Sequence, residues 1–297
     1  MFVRKLPAII AAAGLLVSLS ACAASPTSFG DCSGSSASLV KADGTFPTPL
    51  VTKKAESAVV KAGDGDQVRS SDAVVLDLKL YDAETGDQLQ DPLTIATFVN
   101  GNYPFSAATT CATVGSQIST VGTVTELLNP ETPSDQRIVI VSTITDAFPA
   151  QSVGTDQITQ PGFPAVVFTP IGQPGFTFPD GDAPTKLNIA ALKQGSGTTV
   201  EDGDNIFVNL TGIVWGGTST FASSWTNLAP AGLVASPLDA DGTGVVPGLA
   251  KALVGQQVGS RLVVVVPPSD GYSEAQLPTG VTATDTLVFV VDILAIG

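Results

Sequence analysis

Carboxylates gather in three short words, Asp64-Gly65-Asp66, Asp202-Gly203-Asp204 and Asp239-Ala240-Asp241-Gly242. Clustered oxygens of this kind suit calcium, but an EF-hand loop needs Gly at its sixth position and Glu at its twelfth. None of the three words meets both requirements. They read as Asp/Gly turns, whose short side chains hydrogen-bond their own backbone. The other carboxylates, Asp182 among them, show no spacing that would pair a general acid with a base. The chain has no histidine, which removes Ser-His-Asp and Cys-His nucleophiles and His-ligated metals. Three cysteines cannot build a four-thiolate zinc or iron–sulfur site within one chain. Gly195-x-Gly197 lacks the third glycine and the βαβ setting of a dinucleotide fingerprint and reads as a turn between strands. No metal and no cofactor is expected.

The cysteines carry two separate expectations. Arg4 and Lys5 precede an apolar run from Leu6 to Leu19, interrupted by Pro7 and Gly14. That run is too short to span a ~30 Å hydrocarbon core as a helix, and it suits an export signal over residues 1–21. It closes on Leu19-Ser20-Ala21-Cys22, which resembles a bacterial lipobox with Cys22 as the lipidated residue. Residues 22–44 are rich in Ser, Ala and Gly and read as a flexible tether. Cys32 and Cys111 remain. In an exported protein their pairing is the simplest reading, with two unpaired thiols as the alternative.

Charge argues the same way. Lys+Arg is 13 against 27 Asp+Glu, a formal net of −14, so phosphate backbones repel this chain and nucleic acid is not an expected partner. A negatively charged bilayer surface repels it as well, leaving the lipid on Cys22 as its only membrane contact. The chain reads as a monomer on the extracytoplasmic face of the cell membrane.

The elements that must position any site are mostly strands. Ala73 to Leu80, Arg137 to Thr145, Asn205 to Trp215, Arg261 to Val266 and Thr286 to Ile296 are rich in β-branched residues. The best helix runs from Pro247 to Val254, with Pro at its start and Gly255 just past its end. A weaker helix lies near Glu126 to Leu128. The chain also resembles itself. Lys61-Ala62-Gly63-Asp64-Gly65-Asp66-Gln67-Val68, followed by Asp72, matches Lys193-Gln194-Gly195-Ser196-Gly197-Thr198-Thr199-Val200, followed by Asp204. Val114-Gly115-Ser116-Gln117-Ile118 matches Val258-Gly259-Ser260-Arg261-Leu262, and Ile138 to Val141 matches Leu287 to Val290. The order is kept, so one fold is used twice. Residues 149–184 between the copies are Pro- and Gly-rich and read as a linker, with a strand at Ala165 to Phe168.

The second copy carries a further series of words. These are Val208-Asn209-Leu210-Thr211-Gly212, Phe221-Ala222-Ser223-Ser224, Val245-Val246-Pro247-Gly248-Leu249, Val258-Gly259-Ser260-Arg261, Val266-Pro267-Pro268, Gly271-Tyr272 and Thr286 to Leu294. In this order they resemble the FKBP-type peptidyl-prolyl isomerases. The resemblance implies an α+β, mainly β fold: two FKBP-like domains, each a twisted antiparallel sheet wrapped over a short helix. They occupy 45–148 and 185–297, the first a degenerate copy without the Phe-x-Ser-Ser and Gly-Tyr words. It further implies an apolar pocket between helix and sheet, lined by Phe221, Val245, Val246, Leu249, Tyr272, Val281 and Phe289, with Leu233 as a wall residue. Three positions depart from the family: Leu210 replaces a usual tyrosine, Leu249 a usual tryptophan and Ala222 a usual aspartate.

Such a pocket twists an X–Pro amide without making or breaking a bond, so it needs no His, Cys or metal. The function implied is a weak prolyl isomerase that assists folding of exported, proline-containing polypeptides at the cell surface. The alternative is a non-catalytic, chaperone-like binding module for such chains, which the three departures favour.

Overall fold

The structure is a computed structural model that describes residues 32–297, apart from 102, 129, 159 and 160. The export signal and Cys22 lie outside the described residues. Five strands form the N-terminal sheet: β1 (Glu56–Lys61), β2 (Asp72–Asp82), β3 (Leu93–Phe98), β4 (Gln117–Thr123) and β5 (Arg137–Pro149), with a short helix α1 (Val124–Leu128) before the last. Their order is β1-β4-β5-β2-β3, all antiparallel. After β6 (Thr155–Asp156) comes a hairpin of β7 (Ala165–Phe168) and β8 (Pro174–Thr177). The second sheet holds β9 (Asn188–Gln194), β10 (Asn205–Val214), β11 (Thr220–Ser223), β12 (Ala231–Val234), β13 (Arg261–Val266) and β14 (Leu287–Ile296), with helix α2 (Pro247–Leu253) between β12 and β13. Its order is β11-β10-β14-β13-β9-β6, with β12 also paired to β10. The series β9-β13-β14-β10 therefore repeats β1-β4-β5-β2. The fold is mainly β, with two antiparallel sheets of one design.

The repeated glycine words explain why the copies agree in detail. The N–H of Gly63 donates to Ser116 Oγ at 2.8 Å, and that of Gly195 to Ser260 Oγ at 2.9 Å. Gly65 N–H reaches Val114 O, and Gly197 N–H reaches Val258 O, both at 3.0 Å. A Cβ on Gly63 would stand 2.2 Å from Val114 O, and one on Gly195 would stand 2.3 Å from Val258 O. No side chain fits there, so each word is a clasp between the end of the first strand and the turn before the central hairpin. Asp72 and Asp204 each accept a backbone N–H three residues back, from Arg69 and Glu201, at 2.8 Å. These carboxylates hold turns.

Both sheets are covered on two faces. Leu262, Val264 and Val266 of β13 face α2 and form one core with Val208, Val246, Leu249, Leu253 and Phe289. Val263 and Val265 face the other way, onto Phe163, Val166, Phe168 and Phe176. A strand buried on both sides reads as an unbroken apolar run, as Leu262 to Val266 does. The 149–184 segment is Pro- and Gly-rich but is more than a linker. Its hairpin closes the outer face of the second sheet, and β6 joins that sheet's edge. Buried Arg261 fixes it further. The guanidinium makes two hydrogen bonds to Asp292, the Asp292 carboxylate accepts the Ser152 N–H at 3.2 Å, and Phe168 lies 3.9 Å from the guanidinium carbon.

The tether reading is corrected in the same way. From residue 32 onward the chain is docked on the outer face of the N-terminal sheet. Ala37, Val40 and Leu50 are buried against Val121, Val139 and Val141. Ser119 Oγ donates to Ala37 O, and Gly34 N–H donates to Ser57 O. Small residues there reflect close packing on a valine face. Cys32 and Cys111 are disulfide-bonded, with Cα atoms 6.1 Å apart, which ties this segment to the 3₁₀ helix Pro104–Cys111. That helix covers the N-terminal core where α2 covers the second. Among the described residues no helix is long and apolar enough to cross a membrane.

Candidate functional site

Helix α2 starts where Pro247 fixes φ at its first position and removes an N–H that would have no partner. Gly248 then brings it hard against the sheet, since a Cβ there would stand 2.6 Å from Val266 Cγ1. Its apolar side buries Leu249 and Leu253 under β10, β13 and β14. Val246, just ahead of the helix, is 1% exposed. Among the described residues its backbone N–H has no acceptor. A donor without a partner in so dry a place is uncommon.

Three rings gather beside it. Phe221 meets Phe289 edge-on, at 5.7 Å between centroids and 89° between planes, and meets Tyr272 edge-on at 6.3 Å and 82°. Edge-to-face contacts set the positive rim of one ring on the negative face of the next. Phe289 is buried at the base, while Phe221 and Tyr272 stay half-buried. Burial pushes the Tyr272 phenol above the ordinary tyrosine value. Among the described residues its hydroxyl has no hydrogen-bond partner. Leu210 and Leu233 pack partly exposed on the same core, and Val245 and Val281 are buried in it.

Most residues expected from the sequence therefore share one apolar cluster, with a division among them. Val245, Val246, Leu249, Val281 and Phe289 are core residues that form a floor. Leu210, Phe221, Leu233 and Tyr272 keep accessible surface and form walls. Ala222 is not part of the apolar cluster, but it pairs with Gly212 across β10 and β11, and cross-strand pairs share a face. The register shifts between Gly212 and Ile213, so Phe221 sits in a bulge beside Ala222. A bulge re-aims a side chain, and this one admits Phe221 to the cluster next to Ala222.

Four features escaped the sequence reading. The bulge is one, since its extra residue leaves no mark in the local pattern. Gly212 is another: a Cβ there would lie 2.7 Å from the Phe221 ring and 3.0 Å from the Phe289 ring. Ser224 Oγ accepts the Leu210 N–H at 3.1 Å and ties the end of β11 to β10. Leu277 and Ala231 pack on the cluster from segments without a recognisable motif. Asp270 lies at the edge of the site, its Cβ 3.2 Å from where a Cβ on Gly248 would stand. Its carboxylate is engaged by Lys251. The arrangement can bind an apolar group and offer two hydrogen-bond donors, one backbone and one phenolic.

Residues 196–294 match the family model described as FKBP-type peptidyl-prolyl cis-trans isomerase. The matched segment runs from the second glycine word into β14 and contains every residue of the cluster named above. The FKBP-type peptidyl-prolyl cis-trans isomerase FkpA of Escherichia coli strain K12 is 31% identical over 110 residues, covering 37% of this chain and 37% of that protein. The chain thus spans little more than a third of the length of the curated relatives it matches. Among solved structures, FkpA from Escherichia coli is 25% identical, covering 46% of this chain and 53% of that one with a TM-score of 0.33. The three FKBP domains of wheat FKBP73 are 15% identical, covering 82% and 94% with a TM-score of 0.30.

Proposed function

We propose that residues 196–294, a segment of the FKBP type, catalyse cis–trans isomerisation of X–Pro bonds in exported polypeptides. The observation that carries this reading is the meeting of Phe221, Tyr272 and Phe289 over Val246 and Leu249. A proline ring enters between the walls. The Val246 N–H and the Tyr272 hydroxyl are the two donors left for backbone carbonyls of the bound chain.

The barrier is the resonance of the amide, ~18–20 kcal/mol, and unaided exchange takes tens to hundreds of seconds. Rotation breaks that resonance and withdraws negative charge from the carbonyl oxygen. A water-poor apolar pocket penalises the planar, more polar amide and favours the twisted one. A ~10⁴-fold gain needs about 5–6 kcal/mol of differential binding. No proton moves, so the absence of histidine costs nothing. Leu210, Ala222 and Leu249 make the pocket less flat and less polar than in the family, which supports weak turnover beside firm binding. The alternative, a binding module without turnover, rests on the same three residues.

The N-terminal domain is read as a copy that has lost the site. Export and a lipid on Cys22, placing the protein on the extracytoplasmic face of the membrane, rest on the Leu19-Ser20-Ala21-Cys22 box. The disulfide between Cys32 and Cys111 supports an oxidising compartment. Cys22→Ala should release the protein or leave it unprocessed, and a membrane-bound product of mature size would contradict the lipid. For the catalytic reading, magnetisation exchange on a proline peptide with the full chain is the test. Binding without faster exchange would leave the module alone standing.

A further inference from the structure

We infer that the N-terminal domain braces the pocket wall of the C-terminal one, with Phe98 as the positioning residue. This inference rests on the isomerase reading of the site. The wall residues Phe221 and Leu233 belong to one continuous segment, residues 220–234, which leaves β10 as β11 and returns to it as β12. The turn between them, Ser224–Thr226, is held on two sides. Toward the pocket, Ser224 Oγ accepts the N–H of Leu210. Away from it, Trp225 stacks on Phe98 of β3, at 5.6 Å between centroids and 29° between planes. Trp225 is 7% exposed, and the Phe98 ring of the N-terminal domain covers one of its faces.

The next residues complete the contact. Leu228 adopts φ 47°, an uncommon conformation for leucine. Its carbonyl oxygen lies 2.7 Å from where a Cβ on Gly101 would stand. Only glycine at 101 lets the turn approach this closely. Beside the stack is a cleft of about 250 Å³, lined in part by Phe98, Asn100, Pro170, Ile171, Trp225 and Leu228. The turn is therefore supported by the Phe98 ring and has open space directly beside that contact. Loss of the Phe98 ring lets it relax into the cleft, and Phe221 and Leu233 move with it. Because those walls contact the proline side chain in planar and twisted states alike, the loss falls on KM and spares kcat.

The test uses the full chain with Phe98→Ala, Phe98→Leu and Phe98→Tyr. Phe98→Ala and Phe98→Leu should raise KM for a proline tetrapeptide about fivefold with kcat within about twofold, and Phe98→Tyr should keep both near wild type. Amide exchange should quicken about tenfold across 220–234 while 261–266 stays protected. Phe98→Leu keeps the interface apolar should Phe98→Ala unfold. Unchanged KM and unchanged exchange in a folded Phe98→Leu chain would overturn the brace, as would a loss confined to kcat. A wild-type chain without turnover would instead sink the isomerase reading, and the exchange measurement would still decide whether Phe98 holds the wall.

Discussion

Phe289 pairs with Gly212 across β14 and β10, and its ring lies 3.0 Å from where a Cβ on that glycine would stand. The missing side chain is what admits Phe221 to the same spot. In the N-terminal sheet the corresponding pair is Leu80 and Ile140, both buried in the core. The equivalence follows from a shared irregularity. The β2–β5 ladder shifts register just before Leu76, and the β10–β14 ladder shifts just before Val208. Counting on from the shift, Leu80 falls where Gly212 does. One copy keeps an opening for two rings, and the other fills it with aliphatic side chains.

Gly212→Leu should therefore close the site. Overpacking of this kind costs about 1–3 kcal/mol, and proline-peptide binding should be lost. Adding Phe221→Ala should restore stability in urea unfolding without restoring binding. Tight binding by Gly212→Leu would mean that the peptide sits elsewhere.

Ala222 shares the face of Gly212 and offers no field to the twisting amide. Ala222→Asp should raise kcat/KM by about tenfold, or 1.4 kcal/mol. A buried carboxylate without a partner is costly, so unfolding must be measured beside turnover. A folded variant with unchanged kcat/KM would clear this position of limiting the rate.

Ser142 of β5 lies in the N-terminal core between Ile140 and Ile144, 2% exposed, and its hydroxyl has no hydrogen-bond partner. Val291 holds the matching place in the second core, opposite Leu210 as Ser142 is opposite Leu78. Ser142→Val should stabilise the chain by about 1–2 kcal/mol by removing an unsatisfied buried group. Denaturant titration reads this directly, with Ser142→Ala to separate the hydroxyl from added volume.

The Tyr272 phenol is raised by burial, so the neutral form is the one that folds. Its share of stability is whole below the unfolded value near pH 10 and is lost as pH climbs through the higher folded value. Activity should stay level from about pH 6 to pH 9, since the Tyr272 phenol of the pocket titrates above that range. Tyr272→Phe should soften the alkaline loss of stability while weakening peptide binding. A bell-shaped profile centred near neutrality would point to a different catalytic group.

The words that named the second domain are those whose geometry is local. Pro247-Gly248 starts α2, and the strand at Arg261 to Val266 begins one residue before its apolar run and ends with it. The glycine clasps were readable because Gly63 and Gly195 recur within longer matching words. Less was legible where partners are distant. Gly212 looks like any strand glycine until two rings from β11 and β14 arrive. Residues 32–44 and 149–184 looked loose because Ser, Gly and Pro dominate them, yet each lies against a valine-rich face. The pairing of Phe98 with Trp225 depends on how two domains dock, which no local pattern records.

Twisting of X–Pro bonds in the Phe221–Tyr272–Phe289 pocket is a rate process and can be read as one. It is tested most directly by the cis–trans exchange rate of a proline peptide with the full chain, set beside Gly212→Leu. Exchange with wild type should run well faster than the uncatalysed tens to hundreds of seconds, and the variant should return it to the uncatalysed rate. Exchange at the uncatalysed rate with both proteins, or equal acceleration by both, would contradict twisting in this pocket.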